Sequence, residues 1–483
     1  MIDHWQNALK TNWNISASLD RLDGEYDLNF RATSDEGIGY VLKVMRAGCD
    51  RDLVDMQYAA LEQIQANDPT IPTPGVVQTS QGEAFCEIAD ENDELRLVWL
   101  LDLLPGTTYA TFKPHSLNLA GELGRQLGRM DKALEGFEHP FLARDFKWKL
   151  PSGGWIAEHL DVVENKERRA ILNEIVDQFE GLHPTLSSVP EVAIHNDAND
   201  YNILITPSLD GSPRISGLID LGDMAASPRV CELAIAGAYL VLDHEKPEQM
   251  LAELVAGYHG EYPLSPTEID LIWPLLRMRL AVSVVNSTLE AVDNPDDPYV
   301  TISQAPVWRF LDRGGIDGGL VRPRLRTSCG LPVTDEATSV HAYLKRECGN
   351  FAPLIGNHLS EVPVGPLSVA ESTSPQNPFH LSTEEVLNLG QEFEDENNLW
   401  LGRWGEPRLL YTAEAFQNGP WKASDRRTVH LGVDVFAPAD TPLFAPLDGT
   451  VEIVENRDND LDYGGMVIFR HETPEGAAFY SLY

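Results

Sequence analysis

The chain has 483 residues and a formal net charge of −39 at pH 7, with the acidic residues spread along its length. That balance excludes a nucleic-acid backbone or an anionic membrane surface as partner, since both need a basic face. The length suits two or three domains with ample core, and five scattered cysteines with no C-x-x-C pair argue for a reducing compartment, not a disulfide framework.

The N-terminus, "MIDHWQNALKTNWN", lacks the apolar centre of a signal peptide. "YDLNFRAT" and "GYVLKVMR" alternate apolar and polar residues around the turn "SDEGI", which predicts two strands. "DLVDMQYAALEQIQ" predicts a helix with Leu53, Met56, Tyr58, Ala60, Leu61 and Ile64 near one face. "ELRLVWLLDLLPG" reads as a buried strand stopped by Pro105 and Gly106. Residues 107–190 turn helical, 191–223 return to short strands and loops, and helices resume from "CELAIAGAYLVL" to about residue 320. The longest apolar stretch, "LAIAGAYLVL", is too short to span a bilayer, so the chain is expected to be cytoplasmic with no membrane partner. "EVPVGPLSVAESTSPQNPFH" is rich in Pro and Ser and reads as a linker. Short strand patterns follow in "HLGVDVFAP", "LFAPLDGTVEIV" and "GGMVIFRH".

One constellation carries chemistry. In "AIHNDANDYNILI", His195, Asp197 and Asn202 stand at H-x-D-x-x-x-x-N spacing. Downstream, "GLIDLGD" places Asp220 and Asp223 after an apolar strand, and upstream Lys43 stands alone in the apolar strand "YVLKV". Phosphoryl transfer needs a carboxylate to orient the attacking hydroxyl, hard oxygen ligands for Mg²⁺ and a cation on the phosphates. Asp197 suits the first task, Asn202 and Asp220 the second, and Lys43 the third. Such a lysine needs an acidic partner on the following helix, for which Asp55 or Asp52 is placed. Taken singly, a loop aspartate is an ordinary turn former, and Asp200, Asp210 and Asp223 can be read so. Their order and separation together favour the chemical reading. A P-loop and a G-x-S-x-G elbow are absent from the sequence.

These segments resemble the aminoglycoside phosphotransferase and choline kinase superfamily, with "HNDANDYNIL" as its catalytic loop and "LIDLGD" as its metal-binding segment. Within it, "LDGEYDLNF", "YVLKV", "DFKWKL" and "SGLIDLGDMAASPRVCELAIA" are most similar to the hydroxylysine kinase group, over roughly residues 10–345. The resemblance implies an α+β, bilobal protein-kinase-like fold: a sheet-rich lobe over 1–104 and a helical lobe over 105–345. It implies ATP as donor, Mg²⁺ as cofactor and a small amino alcohol, hydroxylysine-like or ethanolamine-like, as acceptor. The hinge "LLDLLPG", with Leu101 and Leu103, would offer backbone groups to adenine. His195 is assigned to bracing the loop and Asp200 to shaping its turn. Asp223 is structural and adds negative charge suited to an ammonium group. Asn196 stands where many relatives have glycine, and the phosphate-facing turn has a single glycine, Gly24.

A second constellation lies past a linker over 346–420. "TVHLGVDVFAPADTPLFAPLDGTV" places His430 and Asp434 at H-x-x-x-D spacing and resembles the lysostaphin-type zinc metallopeptidases, in which these are two of three protein ligands. The third would come from a later H-x-H that this sequence lacks, and His471 is not at that position. Residues 421–483 are therefore expected to form an incomplete all-β domain with an incomplete Zn²⁺ site, in a fragment of a longer polypeptide. The order of segments resembles the front of fused proteins in which a class III aminotransferase-like, pyridoxal-phosphate-dependent module follows. The alternative functions are a kinase-like module that binds without transferring, or a zinc peptidase or cell-wall binder.

Overall fold

The computed structural model describes residues 2–22, 24, 27–207, 211–293, 304–312, 315–316, 318–356, 358–369, 398–408, 411, 429–457 and 462–483. Asp23, Glu25 and Tyr26 of the turn expected to face phosphate, Asp210, and residues 370–397 of the expected 346–420 linker lie outside them. The chain forms two compact units, Met1–Val333 and Thr334–Tyr483. Among the described residues, no helix is long and apolar enough to cross a membrane.

The first unit opens with helix α1 (Ile2–Trp13), then strands β1 (Ala17–Leu22), β2 (Leu28–Ser34) and β3 (Gly39–Val44), helix α2 (Arg51–Asn67), and strands β4 (Val76–Val77), β5 (Phe85–Ala89) and β6 (Leu95–Asp102). The strands form one antiparallel sheet in the order β1-β2-β3-β6-β4, with β5 also on β6. Strand alternation decides what each face carries. Leu42, Val44, Val98 and Leu100 pack with Trp5, Leu9 and Trp13 of α1 on one side. Leu97, Trp99 and Leu101 face the larger core on the other. Lys43, between Leu42 and Val44, is thereby turned toward the second face, beside Trp99. The strand-rich reading of residues 1–100 missed α1, whose apolar face covers the sheet.

Helix α2 begins at an Asp50 cap, whose side chain accepts from the Asp52 N–H. Its buried face includes Leu53, Met56, Ala60, Leu61 and Ile64 as expected, with Gln57 buried and Tyr58 half-buried. Strand β7 (Thr107–Thr108) leads to α3 (Leu117–Ala133), two 3-10 segments (Pro140–Ala143 and Leu150–Val162), α4 (Lys166–Glu180) and the short α5 (His183–Leu186). Two small sheets then hold the loops of interest. Strand β8 (Glu191–Ile194) pairs with β11 (Ala225–Pro228), and β9 (Ile203–Pro207) pairs with β10 (Pro213–Leu218) and β7. Helices α6 (Val230–Leu240), α7 (Pro247–Glu261), α8 (Pro266–Asp293), α9 (Gln304–Asp312) and α10 (Gly318–Ser328) complete the unit.

Helices α3 and α7 approach closely because glycines line the contact. A Cβ on Gly124 would lie 1.9 Å from Leu254 O, and one on Gly257 would lie 2.1 Å from Gly121 O. Buried Asp131 of α3 accepts a hydrogen bond from Tyr258 Oη of α7 at 2.6 Å.

The second unit contains α11 (Asp335–Glu347), β12 (Trp400–Gly402), β13 (Glu406–Pro407), β14 (Val429–His430), β15 (Asp434–Phe436), β16 (Thr450–Arg457), β17 (Gly464–Glu472) and β18 (Ala478–Leu482). β16, β17 and β18 form an antiparallel sheet, and two smaller ladders join β12 to β15 and β13 to β14. Trp400 stacks on Phe436 with ring centroids 3.7 Å apart.

Candidate active site

Strand pairs aim the polar residues of the first unit at one another. β8 ends at Ile194 and β9 starts at Ile203, so the residues between them form a loop anchored at both ends. β10 ends at Leu218, and Ile219 N–H donates to Asn202 O at 3.0 Å, which pins the next segment to that loop. Asp220 follows with φ +65°, a left-handed conformation that Asp tolerates better than most residues. Asn196 is also left-handed, at φ +64°. Asn, like Gly, enters that region more readily than most residues.

The Asp197 carboxylate is held from two sides. Its Oδ2 accepts from Asn199 Nδ2 and Asn202 Nδ2, both at 2.9 Å. Its Oδ1 accepts from Arg279 Nη2 at 2.9 Å. Burial pushes the Asp197 carboxyl up, while the Arg279 guanidinium and the His195 ring oppose that rise. Asn202 Nδ2 also donates to Asp197 O at 2.9 Å, which leaves the amide oxygen for other ligands. Asn199 Oδ1 accepts from the N–H groups of Tyr201 and Asn202, so Asn199 shapes the turn together with Asp200, whose carboxylate accepts from its own backbone N–H.

His195 is buried, and both its ring nitrogens are occupied. Nδ1 accepts from Asp197 N–H at 3.3 Å and Nε2 donates to Ile219 O at 2.9 Å. With neither nitrogen free, the ring links the two loops and holds no position for proton transfer.

Lys43 Nζ lies 3.1 Å from Asp220 Oδ1, and its ammonium holds that carboxyl below the usual carboxylate range. Asp223 is pushed up to about 6, first by burial and then by the charges of Asp197 and Asp220. Lys43, Gln57, Pro74, Trp99, Leu101 and Asp220 line a narrow cleft. A larger concavity, about 470 Å³, is lined by Arg168, Gln304, Trp308 and Asp312 and includes none of these residues.

Two expectations are corrected. Asp55 does not meet Lys43; its Oδ2 pairs with His139 Nε2 at 3.4 Å, and Asp52 sits in the first turn of α2. Helical spacing explains the difference: the α2 face toward the cleft carries Gln57, two positions past Asp55. Leu103 does not offer its N–H to a ligand, because it donates to Gly39 O at 3.2 Å. Leu101 sits in the sheet between Val41 and Val76 and gives its side chain to the cleft.

Three residues of the site escaped the sequence reading. Arg279, 2% exposed on α8, stacks on Trp148 at 4.5 Å. Arg144 donates to Gly222 O at 2.6 Å and Met224 O at 2.7 Å, clamping the segment after Asp220. Glu232 is buried on α6 and accepts from Asn196 N–H at 2.9 Å. Charge inside an apolar run was the available signal: Arg279, with Arg277, in "LLRMRLAV", and the single Glu232 in "CELAIAG".

In the second unit, His430 Nε2 lies 3.3 Å from Asp434 Oδ1, and His430 Nδ1 lies 2.9 Å from Tyr411 Oη. Arg408 binds the other oxygen of Asp434 and also Glu406 Oε2 at 2.8 Å. Among the described residues no three His, Cys, Asp or Glu side chains come together to hold a metal. Arg408 already neutralises Asp434 through that other oxygen, and His430 and Asp434 supply two donors where a zinc site normally uses at least three, so the described residues do not complete a zinc site. His471 is buried between Asp448 O and Ser481 Oγ.

Known proteins place the first unit. The model of the phosphotransferase enzyme family matches residues 19–267. The hydroxylysine kinase of Danio rerio is 27% identical over 321 residues, covering 64% of this chain and 89% of that one. The hydroxylysine kinase of Mus musculus is 28% identical over 309 residues, covering 59% and 81%. The solved structure of a microcompartment-associated aminopropanol kinase is 18% identical, with a TM-score of 0.49, over 66% of this chain and 100% of that one.

Proposed function

The chain belongs to the phosphotransferase enzyme family, and from that premise we propose that it transfers the γ-phosphoryl group of ATP to the hydroxyl of a small amino alcohol, with hydroxylysine or an ethanolamine-like compound as acceptor. It is a small-molecule kinase with a hydroxyl acceptor. The observation that carries the finer reading is the Lys43–Asp220 contact, which joins positions 177 residues apart at the cleft.

In this reading Asp197 orients the acceptor hydroxyl and takes up its proton as the phosphoryl group moves in line. A loose phosphoryl-transfer transition state asks the protein mainly for positioning and charge. The amide and guanidinium bonds to Asp197 supply the positioning. Lys43 sets a cation on the phosphates. Asn202 and Asp220 would hold Mg²⁺; an amide oxygen and a carboxylate suit it, and when bound it neutralises charge on the triphosphate. Leu101 and Trp99 add apolar walls on which a purine can lie. The negative charge of Asp197 and Asp223 favours an acceptor that carries an ammonium near its hydroxyl.

The test is ADP release with ATP, Mg²⁺ and either hydroxylysine or ethanolamine. Asp197→Ala is expected to abolish release while nucleotide still binds. Full turnover in that variant would sink the assignment.

A further inference from the structure

Arg279 occupies a costly position. A buried guanidinium is unfavourable unless charge partners and hydrogen bonds offset its desolvation. Among the described residues its Nε has no hydrogen-bond partner, so its own hydrogen bonding is incomplete. What it does have is orientation. Its guanidinium lies 4.5 Å from the Trp148 ring and 5.7 Å from the Tyr239 ring. Nη1 donates to Trp148 O at 3.4 Å, and Nη2 donates to Tyr239 Oη at 3.3 Å and to Asp197 Oδ1 at 2.9 Å. Two aromatic side chains and a backbone carbonyl thus fix a planar cation on one oxygen of Asp197.

A count of lone pairs gives that contact a consequence. Each carboxylate oxygen has about two acceptor sites. Oδ2 of Asp197 fills both with Asn199 and Asn202. Oδ1 accepts only from Arg279 among the described residues, so it keeps one site open. We propose that Arg279 is a positioning residue that locks the Asp197 carboxylate, so that the acceptor hydroxyl hydrogen-bonds to Oδ1 and not to Oδ2. This rests on the reading of Asp197 as the residue that orients the hydroxyl. Without the guanidinium the carboxylate can turn about its Cβ–Cγ bond and offer either oxygen. A lysine cannot replace it well, since an ammonium is a point charge with no plane for the two rings to fix.

The experiment uses the full chain, with hydroxylysine as acceptor probe, and compares R279A, R279K and D197N. A misplacement of this kind costs on the order of 10²-fold, so R279A should lower kcat by about that factor while the KM for ATP stays within about twofold. Added millimolar guanidinium should restore R279A by about tenfold and leave D197N unchanged, and R279K should recover less than guanidinium does. A folded R279A with kcat within about threefold of the parent overturns the proposal. So does a loss that follows ATP affinity and melting temperature and is not mended by guanidinium. A D197N variant with full turnover instead sinks the reading of Asp197 itself. A crystal structure of R279A decides the geometry without any turnover: a carboxylate unchanged in orientation overturns the lock.

Discussion

Lys43 Nζ and Asp220 Oδ1 are 3.1 Å apart, and that contact joins the sheet to the loop cluster at the cleft. Period-2 alternation in β3 turns Lys43 to the cleft, and the left-handed backbone at Asp220 turns its carboxylate to meet it. Lys43→Met is expected to lower kcat/KM on the order of 10²-fold, as for loss of one charge-stabilising donor. The pair also carries a pH signature. Lys43 depresses the folded-state pKa of Asp220, so the pair's stabilisation is present above the unfolded value and lost as pH falls through the folded one. The stability gap between parent and K43M should therefore be open at neutral pH and close in acid. Melting curves from pH 7 down to acid measure it, and a gap that widens on acidification would refute the pairing.

Asp223 gives the opposite sign. Its carboxyl is raised to about 6, so the fold favours the protonated form. Its contribution is present below the unfolded value of about 4 and is lost as pH rises through the folded one. In metal-free protein, D223N should melt higher than the parent above that folded value. The difference should shrink as pH is lowered toward the unfolded value. Equal melting temperatures in EDTA at pH 7.5 would contradict the charge crowding among Asp197, Asp220 and Asp223.

Glu232 supports the loop that carries Asp197. Its Oε2 accepts from Asn196 N–H at 2.9 Å, and burial pushes its carboxyl up. Glu232→Ala strands that buried N–H at a cost of about 1–3 kcal/mol, while Glu232→Gln keeps an acceptor and should cost less. Urea denaturation midpoints separate the two. If both variants lose the same stability, the Asn196 bond is not what Glu232 provides.

The sequence displayed what depends on short spacing. Asp197, Asn202 and Asp220 could be picked out because the loops that hold them are local and sit between short strands. Lys43 was legible because a charge in an apolar strand is conspicuous. The partners were not legible, since they come from far along the chain. Asp55 and Gln57 are two positions apart on one helix, and only the approach of α2 to the sheet decides which faces the cleft. Arg279 reaches Asp197 across 82 positions, from a helix whose sequence reads as core. Helix α1 was missed for a related reason: its apolar face is defined by the sheet it covers.

The contact between α3 and α7 allows a test with an internal control. The sequence "GELGRQLG" puts glycines on the α3 face that meets α7, and Gly257 stands opposite. A Cβ on Gly257 would lie 2.1 Å from Gly121 O, a backbone atom with no rotamer by which to retreat. Gly257→Ala must push the helices apart, and overpacking of this kind costs about 1–3 kcal/mol or more. Gly260 lies in the same helix, and a Cβ there would meet nothing within 4 Å among the described residues. Gly260→Ala should be neutral or stabilising by up to about 1 kcal/mol, because alanine is the better helix former. Urea midpoints should therefore move in opposite directions or differ widely. A Gly257→Ala variant as stable as Gly260→Ala would mean that backbone contact does not set the distance between the two helices.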